Sequence, residues 1–135
     1  MLIRSLAALA GLLALSACGP SGGGAASTDP YAGLDAQMLA WRTEIENTHP
    51  ACAAKNDGKG CEAFEVTCKG AQELTAEDAA QGVTAKVVAA MRFAATTPDG
   101  SSGKNASAFA TFSKAGDQWT RTESAPVNPT TCAPF

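Results

Sequence analysis

The chain has 135 residues, of which 13 are acidic, 10 basic, one is histidine and five are cysteine, for a net charge of −3. That length suits one domain and is too short for two of ordinary size, and the acidic balance excludes the basic face that a nucleic-acid partner requires. Although 45% of the residues are hydrophobic, 29 of the 135 are alanine, so the core is thinner than the percentage suggests.

Met1-Leu2-Ile3-Arg4 supplies one positive charge, and Ser5 to Ala17 is an uncharged run dominated by Leu and Ala. A short basic start followed by an apolar stretch of this length predicts a secretory signal over residues 1–17, too short to span a bilayer stably. The run ends in Leu15-Ser16-Ala17-Cys18. This resembles the lipobox of bacterial lipoproteins, in which a small-residue pair precedes an invariant Cys. The resemblance implies that the Cys18 thiol receives a diacylglycerol, that the signal is cut before it, and that the new amine is acylated. Two or more acyl chains hold a protein on a bilayer stably, so the lipid bilayer is the expected partner of Cys18. In the same family Asp after the Cys tends to retain the product in the inner membrane; the residue here is Gly19, which implies an outer-membrane lipoprotein facing the periplasm.

Gly19 to Thr28 carries no charge and no bulky apolar group. Such a segment cannot bury enough surface to order itself, and residues 18–28 are expected to be a tether, whose reach as a flexible coil is roughly 15–20 Å. No later stretch is long enough to span a membrane. Residues 29–135 are then expected to form a single periplasmic domain.

Asp29-Pro30 predicts a helix start, with Asp capping free N–H groups and Pro at the first helical position. Leu34, Met38, Trp41 and Ile45 recur at helical spacing, and His49-Pro50 predicts the stop, because the residue before Pro is pushed out of helical geometry. Met38 and Trp41 at this spacing belong to a core stripe rather than to a cofactor. Phe64, Val66 and Cys68 alternate with Glu65, Thr67 and Lys69, the period of a half-buried strand. Thr75-Ala76-Glu77-Asp78 resembles a capping box with Asp in place of Glu, and Gly82 closes that turn. From Val83 to Ala95 every odd position is apolar, which favours a strand, while the alanines also suit a helix. Thr97 to Gly103 is a breaker cluster. Beyond it the runs Ala106–Ser113 and Gln118–Glu123, joined by Lys114-Ala115-Gly116-Asp117, predict a hairpin. The expected fold class is α+β: one N-terminal amphipathic helix packed on an antiparallel sheet of about four strands. In architecture alone this resembles cystatin-like domains, a likeness that transfers no function.

With Cys18 acylated, four cysteines remain: Cys52, Cys61, Cys68 and Cys132. An even set in an oxidising compartment predicts two disulfides, in one of three pairings. If residues 61 to 68 are extended, Cys61 and Cys68 lie roughly 23 Å apart, beyond the Cα separation of about 7 Å that a disulfide tolerates. Of the other schemes, Cys52–Cys61 with Cys68–Cys132 is preferred, since the first closes the polar Lys55–Gly60 loop and the second ties the tail to a strand. The loop-entropy model assigns them roughly 3 and 4 kcal/mol.

The chemical motifs are sparse. There is no Cys-x-x-Cys redox pair, and the one histidine does not complete a zinc set with the cysteines. If Gly58 were the turn glycine of a calcium loop, Ala53, Lys55 and Phe64 would occupy ligand positions, so that pattern fails. His49 is the one residue through which triad catalysis would pass, and its place at a helix end suggests a cap. Glu44, Glu46, Glu62, Glu65, Glu77, Asp78 and Glu123 offer a carboxylate pair in principle. Gly22-Gly23-Gly24 lies in the tether, where nothing positions a phosphate. Asn105-Ala106-Ser107 fits a glycosylation sequon of little weight in such a lipoprotein, and Trp119-Thr120-Arg121 is expected to place Trp119 in the core and Arg121 at a strand edge. No catalytic residue, cofactor or metal is expected. The function expected is a non-enzymatic binding or structural module of the cell envelope, with another envelope protein or peptidoglycan as partner. The alternatives are a periplasmic enzyme inhibitor working through the Cys52–Cys61 loop or residues 97–105, and a small carboxylate-dependent hydrolase.

Overall fold

The computed structural model describes residues 29–135; the expected signal segment, Cys18 and the tether lie outside the described residues. Helix α1 (Leu34–Thr48) buries Leu34, Met38, Trp41 and Ile45, the stripe read from their spacing. Its start differs from the expectation. The Asp29 carboxylate accepts from the Tyr31 N–H at 2.9 Å, shaping a turn rather than capping a helix. The Ala32 carbonyl is held by Trp119 Nε1–H at 2.9 Å, and Gly33 adopts φ +87°, so the helix begins only after it. The end is as expected: His49 is extended (φ −71°, ψ 133°) ahead of Pro50. A 3₁₀ turn, Pro50–Cys52, comes next.

Strands β1 (Cys61–Ala71), β2 (Val83–Thr96), β3 (Ser102–Ala115) and β4 (Gln118–Glu123) form one open antiparallel sheet in the order β1-β2-β3-β4. A short helix, α2 (Ala76–Ala80), joins β1 to β2 and has the capping box read from sequence: the Thr75 side chain accepts from the Asp78 N–H and the Asp78 carboxylate from the Thr75 N–H. The ambiguous segment after Gly82 is strand β2. It is central and apolar on both faces, with Val87, Ala89, Met91 and Phe93 in the core under α1 and Val88 in a second cluster with Val127 and Cys132. The sheet is therefore covered by α1 on one side and by the tail after β4 on the other. Phe93 and Phe112 are fully buried, and Trp41 meets Phe112 edge-on at 5.6 Å between centroids. Each such side chain contributes about 1.5–3 kcal/mol of burial, which matters in a core otherwise rich in alanine.

Two boundaries shift. The breaker cluster shrinks to residues 97–101, because β2 runs to Thr96 and β3 begins at Ser102. The β3–β4 connection shrinks to Gly116-Asp117, since Ala115 already pairs with Gln118. The expected one-face alternation of Phe64, Val66 and Cys68 also breaks. Register irregularities lie between Glu62 and Glu65 and between Val66 and Cys68. Phe64 and Val66 pack under α1, whereas Cys68 packs on the opposite face with Val88, Val127 and Cys132. One extra residue in a strand turns every later side chain to the other side.

Both disulfides are those preferred from sequence. Cys52–Cys61 has Cα atoms 5.0 Å apart and Cys68–Cys132 5.6 Å. The first holds the 3₁₀ turn against the start of β1 on the α1 side; the second holds the tail against the other side.

Candidate functional site

The two segments named as inhibitor loops meet at one end of the sheet. Asn56-Asp57-Gly58-Lys59 is a tight turn closed by reciprocal backbone bonds of 2.9 Å between Asn56 and Lys59, with positive φ at Asp57 (50°) and Gly58 (78°). That is the hairpin turn for which Asp-Gly is suited. The Asn56 side-chain amide donates to the carbonyls of Thr97 (3.3 Å) and Pro98 (3.0 Å). Thr96, a buried polar residue, donates its hydroxyl to the Lys59 carbonyl at 2.7 Å, and its N–H goes to Gly60 O at 3.0 Å. Gly60 is wedged so tightly that a Cβ there would fall 1.9 Å from the Cys52 carbonyl oxygen.

Within the 97–101 turn Asp99 gathers the Thr97 hydroxyl, the Ser101 hydroxyl (2.7 Å) and the Ser101 N–H (3.0 Å). These bonds to the ionised form, the Thr97 hydroxyl foremost, lower its pKa to about 2. The result is an exposed tip made of two loops braced to one another by hydrogen bonds. Residues 102–105, expected as part of that loop, belong to β3 instead, because pairing with β2 extends down to Ser102 opposite Thr96.

A second feature lies between the C-terminal end of α1 and the sheet, a groove of about 290 Å³ bordered by Glu44, His49, Ser107, Arg121 and Glu123. Arg121, expected at a strand edge, is ion-paired with Glu44 of α1, and only 20% of its side chain is exposed. Trp119 is half-buried against the core as expected. Together, the Trp119–Ala32 hydrogen bond and the Arg121–Glu44 pair strap β4 to α1. Glu123, two residues after Arg121, lies on the same strand face and has no side-chain partner among the described residues. His49 accepts from the Ala51 N–H at its Nδ1 (3.1 Å), which leaves Nε2 as the N–H donor. Its ring stands edge-on to Phe93 at 4.9 Å between centroids.

The other candidate carboxylates are dispersed. Glu65 pairs with Arg92, Glu62 accepts from the Ser102 hydroxyl, and Glu77 accepts from the Gln81 amide. Asp78 sits in the α2 cap beside Lys86, and the Thr75 N–H, then Lys86, hold its carboxyl below the usual range. Of the seven carboxylates, Glu44 and Glu123 share the groove with the imidazole. Sequence reading missed this grouping, since α1 and β4 are far apart in the chain and no local period relates them. The exposed Asn105 of the sequon stands on β3. No family model, curated protein or solved structure matches this chain.

Proposed function

We propose that this chain is a lipid-anchored lipoprotein of the bacterial cell envelope, carried by acylated Cys18 and presenting a non-enzymatic binding domain to the periplasm, with α1 as the first element of that domain. The observation that carries this is the cysteine count. Four of the five cysteines pair with one another, in two disulfides that belong to an oxidising compartment, and Cys18 is the one left over. Three of the domain's polar groups are taken up by structure, which is compatible with a binding module: Glu44 is committed to Arg121, Asp78 to a helix cap and His49 Nδ1 to a backbone N–H. Gly19 favours delivery to the outer membrane. Mass spectrometry of the mature protein tests the anchor. A triacylated N-terminal Cys18, lost together with membrane retention in Cys18→Ser, is expected; an unmodified residue 18 would end the proposal.

An alternative role as an inhibitor of an envelope enzyme is favoured by the two-loop tip, because loops already fixed in one shape lose little entropy when they enter a cleft. Inhibition of a periplasmic hydrolase by the purified protein, abolished by Asn56→Ala, would select that role.

A further inference from the structure

β3 has 14 residues and β4 only six, and β4 covers β3 only from Ala110 to Ala115. The outer edge of β3 from Ser102 to Ala108 thus lies beyond the end of β4, and no other strand among the described residues pairs with it. The pairing decides which backbone groups that edge presents. Ala115 and Gln118 flank the two-residue turn, and the Ser124 N–H donates to the Phe109 carbonyl at 3.2 Å, so the odd residues of β3 turn their backbone toward the β4 side. The same period directs the N–H and C=O of Ser107 and Asn105 to the open edge. Both residues are exposed, and the groove of Glu44, His49, Arg121 and Glu123 runs alongside. Long open edges invite pairing with another chain. The opposite edge, β1, is interrupted by two register irregularities, whereas the register of β3 from Asn105 to Lys114 is regular.

We infer that an extended polypeptide segment carrying a basic side chain adds as a strand to this edge of β3, in the line β4 would take beyond Glu123. Main-chain hydrogen bonds to Asn105 and Ser107 supply the pairing, as in other strand-addition complexes. Specificity comes from the groove. With Glu44 and Arg121 neutralising one another, the carboxylate of Glu123 remains, and a Lys or Arg of the incoming strand offsets it. This deepens the binding-module proposal by naming the kind of partner, and it stands independently of the acyl anchor.

The experiment uses the full-length protein in detergent micelles and two fluorescein-labelled peptides of alternating Thr and Ala, one with a central Lys and one with a central Glu. Fluorescence anisotropy is expected to show the Lys peptide binding about tenfold tighter, which corresponds to about 1.4 kcal/mol, and Glu123→Lys is expected to invert that order. Ser107→Pro removes an outward-facing N–H, which an edge strand tolerates, and is expected to lose binding with an unchanged unfolding midpoint. A Lys peptide N-methylated along its backbone, which leaves the protein untouched, is expected to fail as well. Equal binding of the two peptides, no binding, or binding indifferent to Ser107→Pro and to N-methylation would overturn the proposal. So would a concentration-dependent dimer abolished by Ser107→Pro, which would assign the edge to a second copy of the chain. None of these results depends on the state of Cys18.

Discussion

Val66 and Cys68 are two residues apart on one strand yet face opposite sides of the sheet, Val66 beneath α1 and Cys68 beneath the tail, opposite Met91 and Ala90 respectively. The irregularity between them delivers Cys68 to Cys132, 64 residues away. Lys69, the next residue, returns to the α1 side and meets Asp35 at 3.9 Å. A strand with strict alternation would have pointed Cys68 into the α1 core and left the tail without its staple.

The double variant Cys68→Ser/Cys132→Ser should therefore lose stability and release the tail from Val88. The expected cost is about 2–5 kcal/mol, and more than for Cys52→Ser/Cys61→Ser, whose loop spans only nine residues. Chemical unfolding of the two double variants checks the order. Limited proteolysis should cut the first variant after β4 and leave α1 and the sheet intact for longer.

Gly60→Ala should be among the most damaging single changes. The added Cβ would fall 1.9 Å from the Cys52 carbonyl oxygen, a backbone atom held by the neighbouring disulfide, so nothing flexible can give way. Overpacking of this kind costs typically about 1–3 kcal/mol, and the upper end or more is expected here. Gly58→Ala and Gly116→Ala meet nothing within 4 Å; their cost is limited to the positive φ, of order 1–2 kcal/mol. Thermal unfolding of the three variants should rank Gly60→Ala lowest.

Much of this fold is legible locally. The α1 stripe, the Thr75 capping box, the Asp-Gly turn and the His49-Pro50 stop each depend on residues within a few positions of one another. The features that escaped sequence reading depend on contacts across the chain. The delayed helix start joins a local cause, the left-handed Gly33, to a distant one, Trp119 reaching Ala32, 87 positions away. The flip at Cys68 is a register event, and no local residue type announces it. The groove joins Glu44 to Arg121 over 77 positions, and the open edge of β3 exists only because two paired strands differ in length. The disulfides were legible for a different reason: strand rise excluded one pairing, and loop closure ranked the rest.

The tip should loosen in acid. Asp99 has its pKa depressed to about 2 by the Thr97 and Ser101 hydroxyls and the Ser101 N–H, below the ordinary value of 3.8. A group depressed on folding stabilises fully above its unfolded value, and that contribution fades as pH falls through the folded one. Between about pH 4 and pH 2 the Ser101 amide should thus lose protection from hydrogen exchange as Asp99 takes up a proton. Asp99→Asn should show weaker protection at neutral pH and no change across that window. An Asp99→Asn protein with wild-type protection and the same acid transition would show that other carboxylates hold the turn.

Ala63 offers the reverse of Gly60. It is exposed, lies in the first irregularity of β1 and has φ +54°, a left-handed conformation that costs a residue with a Cβ roughly 1–2 kcal/mol. Ala63→Gly relieves that strain but adds freedom to the unfolded chain, a penalty of roughly 0.5–1 kcal/mol. The net expectation is a stabilisation of about 0.5–1 kcal/mol. Ala71→Gly, at an exposed end of the same strand without positive φ, carries the penalty and not the relief, so it should destabilise. Denaturant midpoints of the two variants must move in opposite directions. If both fall, the left-handed residue at 63 costs less than the flexibility glycine adds, and the irregularity is held by its neighbours rather than against its own backbone preference.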